Sequence, residues 1–192
     1  NTANFIKKWG RHNLENISAA IIAAKIFGIS IKNIKKAINT LPQIKFRQEK
    51  IFNKEGLEIY NDTSATSPEA TIAALKRFGE QKNLILITGG TDRELDFSNW
   101  AKTIKKFIKP NNLILLDGSA TLKMKKELKW KNINTFNSLG ECIKLAIEKT
   151  RENQSVILFS PSSKSFEKFN NEYARGEKFN KLINEIINSG NN

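Results

Sequence analysis

The sequence predicts an α/β protein, with a doubly wound and mostly parallel sheet of about six strands that follows a short helical segment. Short runs made almost wholly of Leu, Ile and Val, such as "LILIT" and "LILL", suit strands that are buried on both faces. Segments with helical periodicity separate these runs, and this alternation is typical of a parallel sheet covered by helices. The 192 residues suffice for one domain of this kind and an appendage.

The first part of the chain is predicted to be helical. Residues 12–27 carry apolar side chains at helical spacing and are followed by Gly28, a residue type that commonly ends a helix. Ser30 is suited to cap a second, shorter helix, and Pro42 ends the helical pattern. We therefore expect residues 1–41 to form a helical segment.

Two strand candidates come next, at residues 46–52 and 57–61, and the sequence "NKEG" separates them. Alternating hydrophobicity in the first run and the glycine between the runs predict a β-hairpin. The other predicted strands are residues 84–88, 113–116, 133–136 and 156–160.

Helix-start signals lie between these strands. Ser67 is placed to cap a helix whose first residue is Pro68. Ser138 opens a capping box, with a glutamate three residues later, and the last helix is predicted at residues 176–187. Residues 42–192 are therefore predicted to form a Rossmann-like domain.

The charge and composition of the chain indicate whether nucleic acid or a membrane is an expected partner. The formal net charge of +13 would suit nucleic acid, but the lysines are scattered through segments such as "SIKNIKKAIN" and "TLKMKKELKWK". This pattern is typical of solvated helix faces, so we expect no nucleic-acid partner. No apolar run approaches the roughly 18 residues that cross a membrane, and no signal peptide is visible. The lone Cys142, on the apolar side of a predicted helix, cannot form an internal disulfide, and we expect a cytoplasmic protein without a membrane partner.

Three loops of unusual composition follow predicted strands. "NDTSATSP" follows the second strand, "TGGTDRELDF" the third, and "SPSSKSF" the last. In a doubly wound sheet, ligands bind in the crevice at the carboxyl ends of the strands. Helix-start amides, serine hydroxyls and the cation Arg93 would together suit an anionic small molecule, and Asp62 would suit a sugar diol.

Each loop also has a structural interpretation. Asp62 fits an Asx turn that satisfies nearby backbone amides, the Gly89-Gly90 pair fits a tight turn, and residues 160–165 fit a capping loop. His12 is the single histidine, which excludes a metal cluster built on histidines, and the chain contains no G-x-x-x-x-G-K-[ST] phosphate loop.

The loop sequences resemble those of the Mur ligase family. The segments "GRHNLENISAA", "FRQE", "YNDTSATSPEAT", "GGTDRELDF" and "SPSSKSFEKFNNEYARGEKF" occur in the family's order and extend over nearly the whole chain. The patterns "ND-x-x-AT" and "SP…SF…F…RG-x-x-F" are typical of the branch that adds D-glutamate. The resemblance therefore implies the C-terminal part of a ligase of that branch.

The same resemblance implies an activity and a domain organisation. Such an enzyme uses ATP and Mg²⁺ to convert the carboxylate of UDP-N-acetylmuramoyl-L-alanine to an acyl phosphate, which the amine of D-glutamate attacks in peptidoglycan precursor synthesis. Residues 1–41 would be the helical tail of the central ATPase domain, and residues 42–192 the C-terminal domain. The chain starts at Asn1 rather than Met, so we expect the phosphate loop and the metal ligands to lie upstream. We expect this piece alone to be inactive, with no catalytic residue and no metal, and the full enzyme to be a monomer.

Site residues are implied by position in the family motifs. The implied ATP contacts are Asn13, Asn16, Arg47 and Asp62. The implied D-glutamate contacts are Thr66, Arg93, Ser165 and Phe166. Asp62 would hold the ribose hydroxyls while Thr66 faces the amino acid, so one turn would touch both substrates.

The chain departs from the family pattern at several positions. Ser64 and Arg93 stand where lysines are usual, and Phe46 replaces a histidine. Glu172, next to Tyr173, falls near a position that often holds an aromatic substrate contact. Amino-acid specificity therefore stays open, and two alternatives remain: another Mur-type or folylpolyglutamate-type ligase, or a stand-alone α/β module that binds a small molecule.

Overall fold

The chain folds into two compact units. The computed structural model describes residues 2–81, 83–150 and 154–189. The units are Asn1–Gln43 and Ile44–Asn192. The end residues of the two predicted segments, Asn1 and Asn192, lie outside the described residues.

The first unit is helical. Its helices are α1 (Thr2–Trp9), α2 (Asn13–Ile26) and α3 (Ile31–Asn39). Helix α2 matches its predicted range to within one residue at each end, whereas the sequence pattern did not predict α1. The hydroxyl of Ser30 caps α3 as predicted, because it accepts a hydrogen bond from the Asn33 N–H at 3.3 Å.

The second unit is a six-stranded α/β domain. Its elements are β1 (Glu49–Lys54), β2 (Leu57–Asn61), α4 (Pro68–Phe78), β3 (Leu84–Thr88), α5 (Ser98–Phe107), β4 (Leu113–Leu116), α6 (Ser119–Leu128), β5 (Asn134–Phe136), α7 (Leu139–Glu148), β6 (Ser155–Phe159) and α8 (Glu172–Ser189). The strands are ordered β1-β2-β6-β3-β4-β5. Only the β1–β2 hairpin is antiparallel among the described pairs, so the predicted fold class is confirmed.

Helices cover both faces of the sheet. Helices α4, α5 and α6 pack on one face through Leu75, Trp100 and Met124, and α7 and α8 pack on the other through Cys142 and Phe179. All five side chains are wholly buried, and burial of each large apolar side chain contributes about 1.5–3 kcal/mol. Strands β3 and β6 are buried along their whole length, as their apolar runs predict. None of the helices in the described ranges has both the length and the hydropathy of a membrane span.

The first strand begins later than predicted. The prediction began it at Phe46, but Phe46 and Gln48 have positive φ angles of 65° and 46°, which extended strands do not adopt. The carboxylate of Glu49 accepts a hydrogen bond from the Phe46 N–H at 2.9 Å and stabilises this turn. Pairing with β2 therefore starts only at Glu49.

Helix starts were predicted with mixed success. The capping box at Ser138 is present. Ser67 occupies the predicted N-cap position of α4 with an extended backbone, but its side chain makes no capping hydrogen bond. The last helix begins at Glu172 rather than Gly176, because the side chain of Asn171 accepts a hydrogen bond from the backbone N–H three residues later at 2.8 Å.

Candidate functional site

Sheet order brings the three polar loops to one edge of the domain. Strands β2, β6 and β3 are neighbours. Their carboxyl ends lead into the β2 turn (residues 62–67), the β6 turn (residues 160–171) and the β3 turn (residues 89–97). Thr91 and Lys164 pair through backbone hydrogen bonds of 2.9 and 3.2 Å, which joins the β3 turn to the β6 turn.

A fourth loop, which the sequence pattern did not single out, lies at the same edge. The β4 turn (residues 117–118) follows β4, and the backbone N–H of Ser119 donates to the carboxylate of Glu167 at 3.0 Å. The N–H of Glu167 donates to the Thr91 hydroxyl at 2.9 Å. The segment "LLDGSAT" carries the same signal as the predicted loops, a polar turn directly after a buried apolar strand.

A shallow pocket with about 180 Å³ of empty space, part of it open to solvent, lies among these turns. Its walls are Gly90, Thr91, Leu116, Asp117, Ser165, Glu167, Lys168, Phe169 and Arg175. The enclosed part has room for about one water molecule, so these turns form one wall of a site rather than a complete cavity. Cationic, anionic, hydroxyl and aromatic groups all contribute, which is the lining that a small charged metabolite requires.

The serines of the β6 turn differ in whether their hydroxyls form hydrogen bonds within the protein. The hydroxyls of Ser160, Ser162 and Ser163 all form hydrogen bonds within the protein. The hydroxyl of Ser165 has no partner within the described residues, although the side chain is 3% exposed. An unpaired buried hydroxyl costs about 1–3 kcal/mol, so Ser165 is the group in the pocket that a ligand would satisfy.

Asp62, at the head of the β2 turn, has a structural role, but its partners lie far along the chain and do not form the Asx turn that was considered. The Asx-type bond of this turn is made by Asn61, whose side-chain oxygen accepts the Thr63 N–H at 3.0 Å. One carboxylate oxygen accepts the Gln48 N–H at 3.1 Å, and the other accepts the Ser160 hydroxyl at 2.8 Å. Burial raises the pKa of Asp62 to about 7, while these two hydrogen bonds and the charges of Arg47 and Arg77 act in the opposite direction. Each oxygen keeps a second lone pair, so this role is compatible with the predicted contact to a sugar diol.

The other residues implied for amino-acid binding lie in the β2, β3 and β6 turns but do not line the pocket. Ser165 alone of the four lines the pocket. Thr66 is half-buried in the β2 turn, and the side chains of Arg93 and Phe166 are exposed.

The residues implied for nucleotide binding are divided between the two units. Asn13 and Asn16 lie in the first turn of α2, where the Asn16 amide donates to the Asn13 amide oxygen at 3.1 Å. Arg47 and Asp62 lie in the second unit, and Arg47 is exposed.

The positions that depart from the family pattern contribute little to the pocket. Phe46 is buried and packs against Tyr173, with ring centres 6.1 Å apart. The backbone carbonyl of Glu172 accepts the Thr63 hydroxyl at 3.0 Å. The aromatic side chain of the pocket is Phe169, three residues before Glu172, which stands in the quoted family pattern but was not predicted to contact a substrate.

Comparison with curated proteins finds relatives over nearly the whole chain. The UDP-N-acetylmuramoylalanine–D-glutamate ligase of Roseiflexus sp. (strain RS-1) is 34% identical over 187 residues, which are 95% of this chain and 39% of that protein. The enzymes of the same name from Aquifex aeolicus (strain VF5) and Clostridium botulinum (strain Alaska E43 / Type E3) are 36% and 37% identical over 93% and 92% of this chain. The chain spans about two fifths of the length of these relatives. No family model matches the chain.

Comparison with solved structures finds the same fold in three proteins. UDP-N-acetylmuramate-alanine ligase MurC from Thermotoga maritima superposes with a TM-score of 0.63 at 16% identity, over 91% of this chain and 38% of its own. MurF from Acinetobacter baumannii gives 0.64 at 17% identity, over 93% and 38%. A pseudomurein peptide ligase type C from Methanothermus fervidus gives 0.60 at 21% identity, over 91% and 36%.

Proposed function

Because this chain is homologous to the Mur ligases over more than nine tenths of its length, we propose that it is the C-terminal part of an ATP-dependent ligase that adds D-glutamate to UDP-N-acetylmuramoyl-L-alanine. The names of the relatives, which are 34–37% identical, support this branch over others. We also propose that the full enzyme acts in the cytoplasm as a monomer.

The domain organisation follows from this proposal. Residues 1–41 would be the tail of the ATPase domain and residues 42–192 the C-terminal domain. Ile26 and Phe27, at the end of α2, are 79% and 85% exposed, which supports a helical unit that packs against further protein. The absence of a phosphate loop from the sequence supports the expectation that the chain alone does not turn over ATP.

This chain would supply some of the contacts to ATP. Asn13, Asn16, Arg47 and Asp62 would hold ATP, and the lone pairs left on the buried Asp62 carboxylate fit the ribose hydroxyls. When bound, ATP supplies the phosphoryl group that activates the carboxylate. Among the described residues, no three His, Cys, Asp or Glu side chains lie together so that they could hold a metal ion. The Mg²⁺ ligands are therefore proposed to come from the rest of the enzyme.

One observation carries the amino-acid site. The buried, unpaired hydroxyl of Ser165 faces no protein acceptor or donor in the described ranges, and it lines the same pocket as two cationic and two anionic side chains. Lys168, with the buried positive charge of Arg175 behind it, favours a carboxylate there, and Asp117 and Glu167 favour an ammonium group. These charged side chains are complementary to the carboxylates and the ammonium group of glutamate. A site that holds the amine in a fixed orientation can lower the activation barrier of a bimolecular reaction by several kcal/mol.

The proposal is tested by titrating the ¹⁵N-labelled chain with amino acids and following backbone amide signals. We expect D-glutamate to shift the signals of Gly90, Thr91 and Ser165 with a Kd on the order of millimolar, because the chain supplies only part of a cleft. Stronger shifts with L-lysine would favour another Mur-type ligase, and stronger shifts with L-glutamate would favour a polyglutamate-type ligase. No shifts in these turns with any of them, or ligation by the chain alone, would refute the proposal.

A further inference from the structure

A wholly buried arginine connects two of the turns that form the site. Arg175 lies in the first turns of α8 and is 0% exposed. Its guanidinium donates to the hydroxyl and the carbonyl of Thr63, at 3.0 and 2.9 Å, in the β2 turn. It also donates to the carbonyls of Ser163 and Lys164, both at 3.1 Å, in the β6 turn. One side chain from a third element therefore holds both turns.

The charge of this arginine has no carboxylate partner in ion-pair range within the described ranges. All four of its acceptors are neutral oxygens. Burial lowers the pKa of Arg175 to about 10, with the charge of Glu172 opposing, so the side chain stays charged near neutral pH. Burying an uncompensated cation is costly, and a neutral side chain would anchor a helix without that cost. The planar guanidinium group can donate hydrogen bonds to acceptors in two directions at once, which a neutral side chain cannot do.

Other contacts attach α8 closely to the β2 turn. A Cβ atom on Gly176 would lie 2.5 Å from the Thr63 methyl group and 2.7 Å from the Phe46 ring. The Asn61 amide donates to the Gly176 carbonyl at 3.0 Å, and the Thr63 hydroxyl donates to the Glu172 carbonyl at 3.0 Å. Helix α8 and the β2 turn therefore form one packed body, and Arg175 extends from that body to the β6 turn.

We propose that Arg175 is a positioning residue of the amino-acid site, which sets the place of the β6 turn, with Ser165, relative to the β2 turn, with Thr66. The hydrogen bonds of Arg175, and the way in which they hold the two turns together, do not require a bound ligand. The proposal rests on the proposed function only for the identity of the amino acid that these turns would bind.

The first experiment needs no ligand and measures amide hydrogen exchange. Arg175→Lys keeps the charge but cannot reach both turns, and Arg175→Met removes the charge as well. We expect both substitutions to speed exchange of the paired Thr91 and Lys164 amides at least roughly tenfold, while the amide of Ile157 in the central strand exchanges as in the unsubstituted chain.

A substitution on the same helix provides the control. Asn180→Ala removes the 2.7 Å hydrogen bond from the Asn61 amide, which attaches α8 to β2 and does not involve the β6 turn. We expect Asn180→Ala to leave exchange of Thr91 and Lys164 unchanged. Unchanged exchange of these amides in Arg175→Lys, or faster exchange throughout the sheet including Ile157, would overturn the positioning role.

A second experiment connects this role to the ligand. The Kd for D-glutamate, measured from the amide shift of Ser165, should be at least roughly tenfold higher in both Arg175→Lys and Arg175→Met than in the unsubstituted chain. If Arg175→Lys binds like the unsubstituted chain, charge alone matters and the positioning role is refuted. If the unsubstituted chain binds no D-glutamate while the exchange results are as expected, the proposed function fails and the positioning role stands.

Discussion

Asp62→Asn tests whether the carboxylate at the head of the β2 turn is held largely in its neutral form. The side chain is 5% exposed, and burial raises its pKa from 3.8 to about 7. Asparagine has nearly the same shape, and its amide oxygen can accept the Gln48 N–H that Asp62 accepts at 3.1 Å. Its amide N–H can donate to the Ser160 hydroxyl, so the substitution changes the charge and preserves the contacts.

The sign of the effect follows from the two pKa values. In the unfolded chain Asp62 loses its proton near pH 3.8, and in the folded protein it does so near pH 7. Between these values the folded state binds more protons than the unfolded state, so the free energy of unfolding falls as the pH rises. At about 1.4 kcal/mol per pH unit, the loss between about pH 5 and about pH 8 is roughly 2–3 kcal/mol.

Urea unfolding of the two proteins at these two pH values measures the effect. The unsubstituted chain should lose roughly 2–3 kcal/mol relative to Asp62→Asn between about pH 5 and about pH 8, since the comparison cancels groups common to both proteins. A difference that does not vary with pH would refute the reasoning. It would mean that Arg47 and Arg77 outweigh burial and that Asp62 is ionised throughout.

Three further substitutions have defined outcomes. Gly176→Ala should lower the free energy of unfolding in urea by about 1–2 kcal/mol, because the 2.5 Å approach to Thr63 outweighs the roughly 1 kcal/mol that alanine contributes in a helix; a stabilised variant would contradict this. Ser162→Ala should cost about 1–3 kcal/mol in fluorescence-detected unfolding, because it leaves the buried indole N–H of Trp100 without its 2.8 Å acceptor, and unchanged stability would show that another acceptor replaces it. Arg93→Ala should leave the unfolding midpoint unchanged, because the side chain is exposed, but should weaken D-glutamate shifts in the NMR titration; undiminished shifts would remove Arg93 from the site.

Local sequence signals predicted most of the fold. Apolar runs identified the buried strands, and the capping box at Ser138 marks a helix start that depends on residues three apart. The start of β1 was wrong because the left-handed backbone of Phe46 is stabilised by a contact outside the local pattern. The Phe46 carbonyl accepts the Ser64 N–H at 3.1 Å, from a turn that follows the next strand.

The candidate site was predictable only in part. The carboxyl-end rule for parallel sheets predicted the edge where Ser165 lies. The binding role that the family motif implies for Ser165 stays a prediction. Arg175 stands in the quoted RG-x-x-F pattern and Asp117 in none, but the role of neither was predicted, because these roles depend on sheet order and on partners distant in sequence. Thr63, which Arg175 binds, lies 112 residues away along the chain, and no local pattern records such a pairing.

The central claim is that the Ser165 hydroxyl is kept free of protein partners so that it can bind an amino acid, and Ser165→Ala tests it most directly. Ser163→Ala is the matched control, because the Ser163 hydroxyl donates to the Pro161 carbonyl at 3.1 Å. The measurement is the free energy of unfolding and the D-glutamate affinity of each variant. Ser165→Ala should be about 1–3 kcal/mol more stable than the unsubstituted chain, because it removes the unpaired buried hydroxyl, and should bind D-glutamate at least roughly tenfold more weakly. Ser163→Ala should lose about 1 kcal/mol of stability and keep its affinity. A Ser165→Ala variant that is destabilised, or that binds D-glutamate as well as the unsubstituted chain does, would contradict the account.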